Sequence, residues 1–127
     1  MQYSFPKKEK LKSKKRITQL FEEGKTLKAF PLKLIYLEVK EQDSPIQAGV
    51  AVPKKNFKSA VKRNRIKRLL REAYRLNKAP VFNNTQGNFA FLFLYLGREM
   101  PSFEQIEPKI KLLLNNFNVQ IHEKSTE

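Results

Sequence analysis

A single α+β domain, helices packed on a small sheet, is what this 127-residue sequence predicts, and three patterns predict it. Apolar residues recur at helical spacing near the start, the middle and the end of the chain. From Leu27 to Pro53 the pattern changes to strands and the period shortens to two. The run Phe89 to Leu96, FAFLFLYL, is apolar on both faces and so belongs inside a sheet covered from both sides. The length suits one core, at a size where roughly two thirds of the chain's surface can be buried.

Residues 1–12 read as a flexible basic arm, with Phe5-Pro6 offering an extended anchor. The folded domain is expected over 13–118. Ser13 is placed to cap a first helix whose apolar stripe is Ile17, Leu20 and Phe21, and Gly24 stands where helices commonly end. Leu32 to Lys40 is rich in branched and aromatic residues, Gln42 to Pro45 makes a turn, and Ile46, Ala48, Val50 and Val52 alternate with Gln47, Gly49 and Ala51. A basic helix follows. Asn77 to Asn88 then reads as a loop, on the strength of Pro80, two adjacent asparagines and Gly87. Ser102-Phe103-Glu104-Gln105 is a capping box for a last helix that turns Ile106, Ile110, Leu113, Leu114 and Phe117 inward. Pro108 either bends that helix or marks its true start. Residues 119–127 read as a flexible tail.

Charge carries the functional signal. The formal net charge is +14, and Lys54 to Lys78 holds eleven lysines and arginines against one acid, Glu72. Ile66, Leu69, Leu70, Ala73 and Leu76 give this segment an apolar stripe. Arg65, Arg68 and Arg75 then fall in one outer row, and Arg63, Lys67 and Arg71 in another. Solvated helix faces usually mix signs, because opposed charges three or four apart support the helix. Here the mixture is missing, which favours a polyanion as partner, with arginine's planar fork suited to bidentate phosphate contact.

Other classes find little support. With no cysteine there is neither a disulfide nor a thiolate metal site, which fits a reducing compartment, and neither a secretory signal nor a membrane span is visible. A cytoplasmic protein is expected. The single aspartate, Asp43, falls in a turn, and the single histidine, His122, in the expected tail. No phosphate-binding glycine loop or zinc spacing occurs, and the carboxylates are too scattered for a metal-dependent nuclease. The aromatic face Phe89, Phe91, Phe93 and Tyr95 fits a core better than a base-stacking platform. A structural RNA-binding protein and the subunit of a ribonucleoprotein both remain open on the charge alone.

The order of residues narrows the choice. Lys54-Lys55 followed by AVKRNRIKRLLREAYR from Ala60 to Arg75 closely resembles the Arg-Asn-Arg motif of the bacterial ribonuclease P protein subunit. Arg16-Ile17 to Phe21, Gly24-Lys25, the Gly49-Val50-Ala51-Val52 strand, the apolar strand and the leucine-rich final helix match it in order, from about Leu11 to Phe117. The resemblance implies an α/β sandwich in the order αβββαβα, with a small mixed sheet and a left-handed βαβ crossover. It implies a role in removing the 5′ leader from precursor tRNA, with the catalytic centre and its Mg2+ in the RNA subunit and no cofactor held by protein ligands alone. The implied partners are the ribonuclease P RNA and precursor tRNA, with no small-molecule substrate and no membrane. Arg63, Asn64, Arg65, Lys67, Arg68 and Arg71 would hold the catalytic RNA. Ile17, Phe21, Ile35, Lys54 and Lys55 would line the path of the single-stranded leader. Two departures stand out: Ile17 occupies a position where an aromatic is common, and Asn56-Phe57-Lys58-Ser59 replaces a shorter, glycine-containing link.

Overall fold

The doubly apolar run from Phe89 is the axis of the molecule. The computed structural model describes residues 4–40 and 42–125; residues 1–3 of the expected arm and 126–127 of the expected tail lie outside the described residues. The elements run α1 (Lys14–Glu23), β1 (Lys25–Ala29), β2 (Leu32–Val39), β3 (Ile46–Ala51), α2 (Ala60–Asn77), α3 (Ala79–Asn84), β4 (Asn88–Tyr95) and α4 (Phe103–Ser125), with a 3-10 turn at Lys7–Glu9 before them. The strands form one sheet in the order β1-β2-β4-β3. β2 runs antiparallel to both β1 and β4, whereas β3 is parallel to β4, to which it is joined through α2 and α3.

Alternation along the strands sends two sets of side chains to two cores. Leu32, Leu34 and Tyr36 of β2, Ile46 and Ala48 of β3, and Phe89, Phe91, Phe93 and Tyr95 of β4 meet Ile66, Leu70, Ala73 and Tyr74 of α2 and Ile106, Ile110, Leu113, Leu114 and Phe117 of α4. Phe117 packs edge-on to Phe91 and Phe89, at centroid distances of 4.7 and 5.0 Å. Ile35 and Val39, with Ala90, Leu92 and Leu94, form a smaller cluster on the opposite face beneath Leu20 of α1 and Leu11. The aromatic row of β4 is therefore core.

Caps behave as the sequence predicts at both outer helices. The Ser13 hydroxyl accepts from the Arg16 amide at 3.1 Å. The Gln105 side chain accepts from the Ser102 amide at 2.9 Å, while the Ser102 hydroxyl accepts from the Gln105 amide at 3.3 Å. α4 thus starts at Phe103, ahead of Pro108, which the helix carries on its exposed face.

Four expectations need correction. The 77–88 segment is not all loop: Pro80 lies in the first turn of α3, where its missing N–H would have been unpaired anyway, and Val81 is buried. α4 continues to Ser125, where a tail from residue 119 was expected. The arm is fastened from Phe5 onward. Phe5 packs edge-on to Tyr74, Lys10 forms a parallel bridge with Ala48, the Leu11 amide donates to the Ala48 carbonyl at 2.9 Å, and Leu11 is buried. The stripe of α2 is also shifted, with Tyr74 fully buried and Leu76 exposed.

Candidate nucleic-acid interface

A helix can carry many like charges only if something else fixes it, and α2 is fixed at both ends. At its start the Ser59 hydroxyl accepts from the Lys62 amide at 3.3 Å, and Phe57, in the link before it, is buried in the main core. Arg63 completes this junction. One guanidinium nitrogen donates to the Phe57 carbonyl at 2.6 Å and to the Lys58 carbonyl at 2.9 Å, so the Asn56–Ser59 link is stapled to the helix by the first arginine of the Arg-Asn-Arg motif. The far end is fixed by Lys78, whose ammonium is buried and pairs with the Glu9 carboxylate and the Ser4 carbonyl. Lys78, counted among the basic residues of the segment, thus points inward.

Between these ends the charges face out. Asn64, Arg65, Arg68 and Arg71 are exposed, and Lys67 is half-buried. Arg71 does not form a separate row with Arg63 and Lys67. Three residues beyond Arg68, it shares one groove with Asn64, Arg65, Arg68, Glu72 and Arg75. Within the groove Glu72 accepts from Arg75 at 2.5 and 3.2 Å. That bond holds the Glu72 carboxyl below its ordinary pKa, with Arg75 and Arg68 adding Coulombic attraction, so at neutral pH the only acid on the face is ionised and orients Arg75.

The second group of predicted residues separates. Phe21 is 58% exposed, and Ile17 is half-buried at the margin of the smaller cluster. Ile35 is only 4% exposed, so it is part of the floor rather than an open contact. Gly24 makes that packing possible, since a Cβ there would stand 2.5 Å from the Ile35 side chain and 2.4 Å from the Leu20 carbonyl. Lys54 and Lys55 are exposed in the turn after β3, and Asn56 donates from there to the Leu96 carbonyl at 3.3 Å. On the sheet face shared with Ile35, Lys28 stands directly opposite Lys33, a like-charge pair that alternation along β2 signals once the register is known. Phe5 and Lys10, assigned in sequence to a mobile arm, line the arginine groove. His122 sits on α4 with Nδ1 2.7 Å from the Asn118 carbonyl, and Asp43 is exposed. Among the described residues no three side chains of His, Cys, Asp or Glu gather to hold a metal ion, and no helix is long and apolar enough to cross a membrane.

A four-stranded mixed sheet between two cores, with an arginine-lined helix on one side, defines a small basic α+β protein with exposed positive charge gathered on that helix. The chain belongs to the family described as Ribonuclease P, whose model matches residues 5–118. It is 38% identical over 109 residues to the ribonuclease P protein component of Porphyromonas gingivalis, covering 83% of this chain and 80% of that one. It is 37% identical over 130 residues to the protein of the same name from Chlorobium phaeobacteroides, covering 91% and 89%. Among solved structures, the RNase P protein from Thermotoga maritima superposes with a TM-score of 0.68 at 25% identity, over 85% of this chain and 96% of that one. The Staphylococcus aureus RNase P protein gives 0.68 at 20% identity, over 84% and 93%.

Proposed function

We propose that this chain is the RNA-binding subunit of a cytoplasmic ribonuclease P, assisting a catalytic RNA in removing the 5′ leader of precursor tRNA. The observation that carries the reading is the outward face of α2, where Asn64, Arg65, Lys67, Arg68 and Arg71 stand over a buried apolar face with Glu72 as their only acid. Each exposed arginine can take a phosphate bidentately, and several together tie affinity to displaced counterions. Arg63 supports this face from behind by holding the link that aims the helix. Hydrolysis and its magnesium are assigned to the RNA.

The leader is assigned to the other face. Phe21 supplies an exposed ring on which an unpaired base of any identity can stack, Ile17 borders it, Ile35 supports its floor, and Lys54 and Lys55 neutralise phosphates. The test combines the purified chain with a bacterial ribonuclease P RNA and a precursor tRNA at low magnesium. Cleavage that rises only when both RNAs and the protein are present supports the reading. Cleavage by the protein without the catalytic RNA, or no rise at all, overturns it.

A further inference from the structure

The groove beside α2 has a second wall that the arginine motif does not supply. It encloses about 520 Å³, and besides Asn64, Arg65, Arg68, Arg71, Glu72 and Arg75 it is lined by Phe5 and Lys10 of the N-terminal segment. That volume lies in the range of pockets that take small organic ligands. We propose that the N-terminal segment is a built part of the RNA-binding surface: Lys10 and the arginines of α2 grip one stretch of RNA phosphate backbone from opposite sides. This rests on the assignment of α2 to RNA.

Three features make the wall a fixed one. The Glu9 carboxylate and the Lys78 ammonium form a buried ion pair, with side chains 8% and 5% exposed, which ties the segment to the end of α2. Next to this pair the Phe5 ring packs edge-on to Tyr74 at 5.5 Å, with Lys78 5.6 Å from its centroid. On the far side Lys10 is bridged to Ala48 at the edge of the sheet, and the Gln47 side-chain Nε2 donates to the Lys8 carbonyl at 3.0 Å. Lys10 itself is exposed, its ammonium 5.6 Å from the Phe5 centroid. Phe5 therefore holds the ammonium at the groove while the backbone on either side is anchored. A cation held in place loses less conformational freedom on meeting a phosphate than one on a loose arm. Glu72 does not oppose such a ligand as a free charge, because Arg75 occupies its carboxylate.

The experiment measures binding of a bacterial ribonuclease P RNA by the full-length chain across a series of salt concentrations, for wild type, Lys10→Ala, Lys10→Arg and Arg68→Ala. Lys10→Ala is expected to flatten the plot of log K against log salt by about one unit, as loss of one phosphate contact does, and Lys10→Arg to restore it. A wild-type slope for Lys10→Ala beside a flattened one for Arg68→Ala would overturn the second wall while leaving α2 as the RNA face. Wild-type slopes for both would remove that underlying assignment as well. A second readout is acylation of Lys10 by an amine-reactive reagent, mapped by peptide mass: bound RNA should protect Lys10, and equal labelling with and without RNA would contradict the proposal.

Discussion

Replacing Glu9 with alanine should destabilise the protein far more than its position nine residues from the start suggests. The carboxylate and its partner Lys78 are both buried. Lys78 has three donors, of which one reaches Glu9 and one the Ser4 carbonyl, and its ammonium lies 5.6 Å from the Phe5 ring and 5.2 Å from the Phe82 ring. Removing the carboxylate leaves a buried cation with one carbonyl and two ring faces. Breaking a buried pair from one side costs roughly 3–5 kcal/mol, and the ring contacts, present before and after the substitution, do not offset it, so a loss of at least about 3 kcal/mol is expected. In urea, with a slope of about 1–3 kcal/mol per molar, the midpoint should fall by at least about 1 M. The double variant Glu9→Leu/Lys78→Met removes both charges and should lie above Glu9→Ala in stability, because no unpaired cation remains. A midpoint for Glu9→Ala within about 0.3 M of wild type would refute the reasoning, since a frayed arm would lose that little.

Other substitutions separate packing from recognition. Phe21→Ala should change stability by less than about 0.5 kcal/mol yet weaken precursor tRNA binding more than mature tRNA binding, whereas Leu20→Ala, one residue away and fully buried, should cost about 2–5 kcal/mol in chemical denaturation. Gly24→Ala should destabilise by about 1–3 kcal/mol, because its methyl would overlap the Leu20 carbonyl and the Ile35 side chain; a neutral result in the same assay would contradict the close approach of α1 to β2. The Tyr74 hydroxyl is buried without a hydrogen-bond partner among the described residues, so Tyr74→Phe should raise stability by about 1 kcal/mol at neutral pH. Burial, with the Glu9 carboxylate adding to it, holds the Tyr74 phenol far above its ordinary pKa, so the folded chain keeps a proton that the unfolded chain releases near pH 10. Stability present below that pH is therefore lost as pH rises above it, and the Tyr74→Phe difference should widen in alkaline denaturation curves.

Much of this architecture was legible because burial writes itself into periodicity. α1 and α4 with their capping serines, α2 without its cap, and the doubly buried β4 follow from residue patterns that a core and its helix ends demand. β1 was read only in part: the strand pattern was placed from Leu27 onward, but in Lys25–Ala29 only Leu27 and Ala29 face inward, as suits an edge strand guarded by lysines, so nothing local set it apart from β2. The N-terminal segment misled for a different reason. Its lysines resemble those of a disordered arm, and the burial of Glu9 depends on a partner sixty-nine residues away, a separation that no local pattern encodes. The same limit hid the role of Arg63, which reads as one more phosphate ligand until the Phe57 and Lys58 carbonyls are seen against it. The groove's arginines were readable, but its second wall was not.

If RNA is held on the outer face of α2, the exposed arginines there must set how binding responds to salt. The most direct measurement is the salt dependence of catalytic-RNA binding for wild type and for a variant carrying Arg65→Ala, Arg68→Ala and Arg71→Ala together. Three lost phosphate contacts should reduce the slope of log K against log salt by about 2–3 units, with the thermal unfolding transition preserved because all three side chains are exposed. Superimposable slopes for the two proteins would contradict the account.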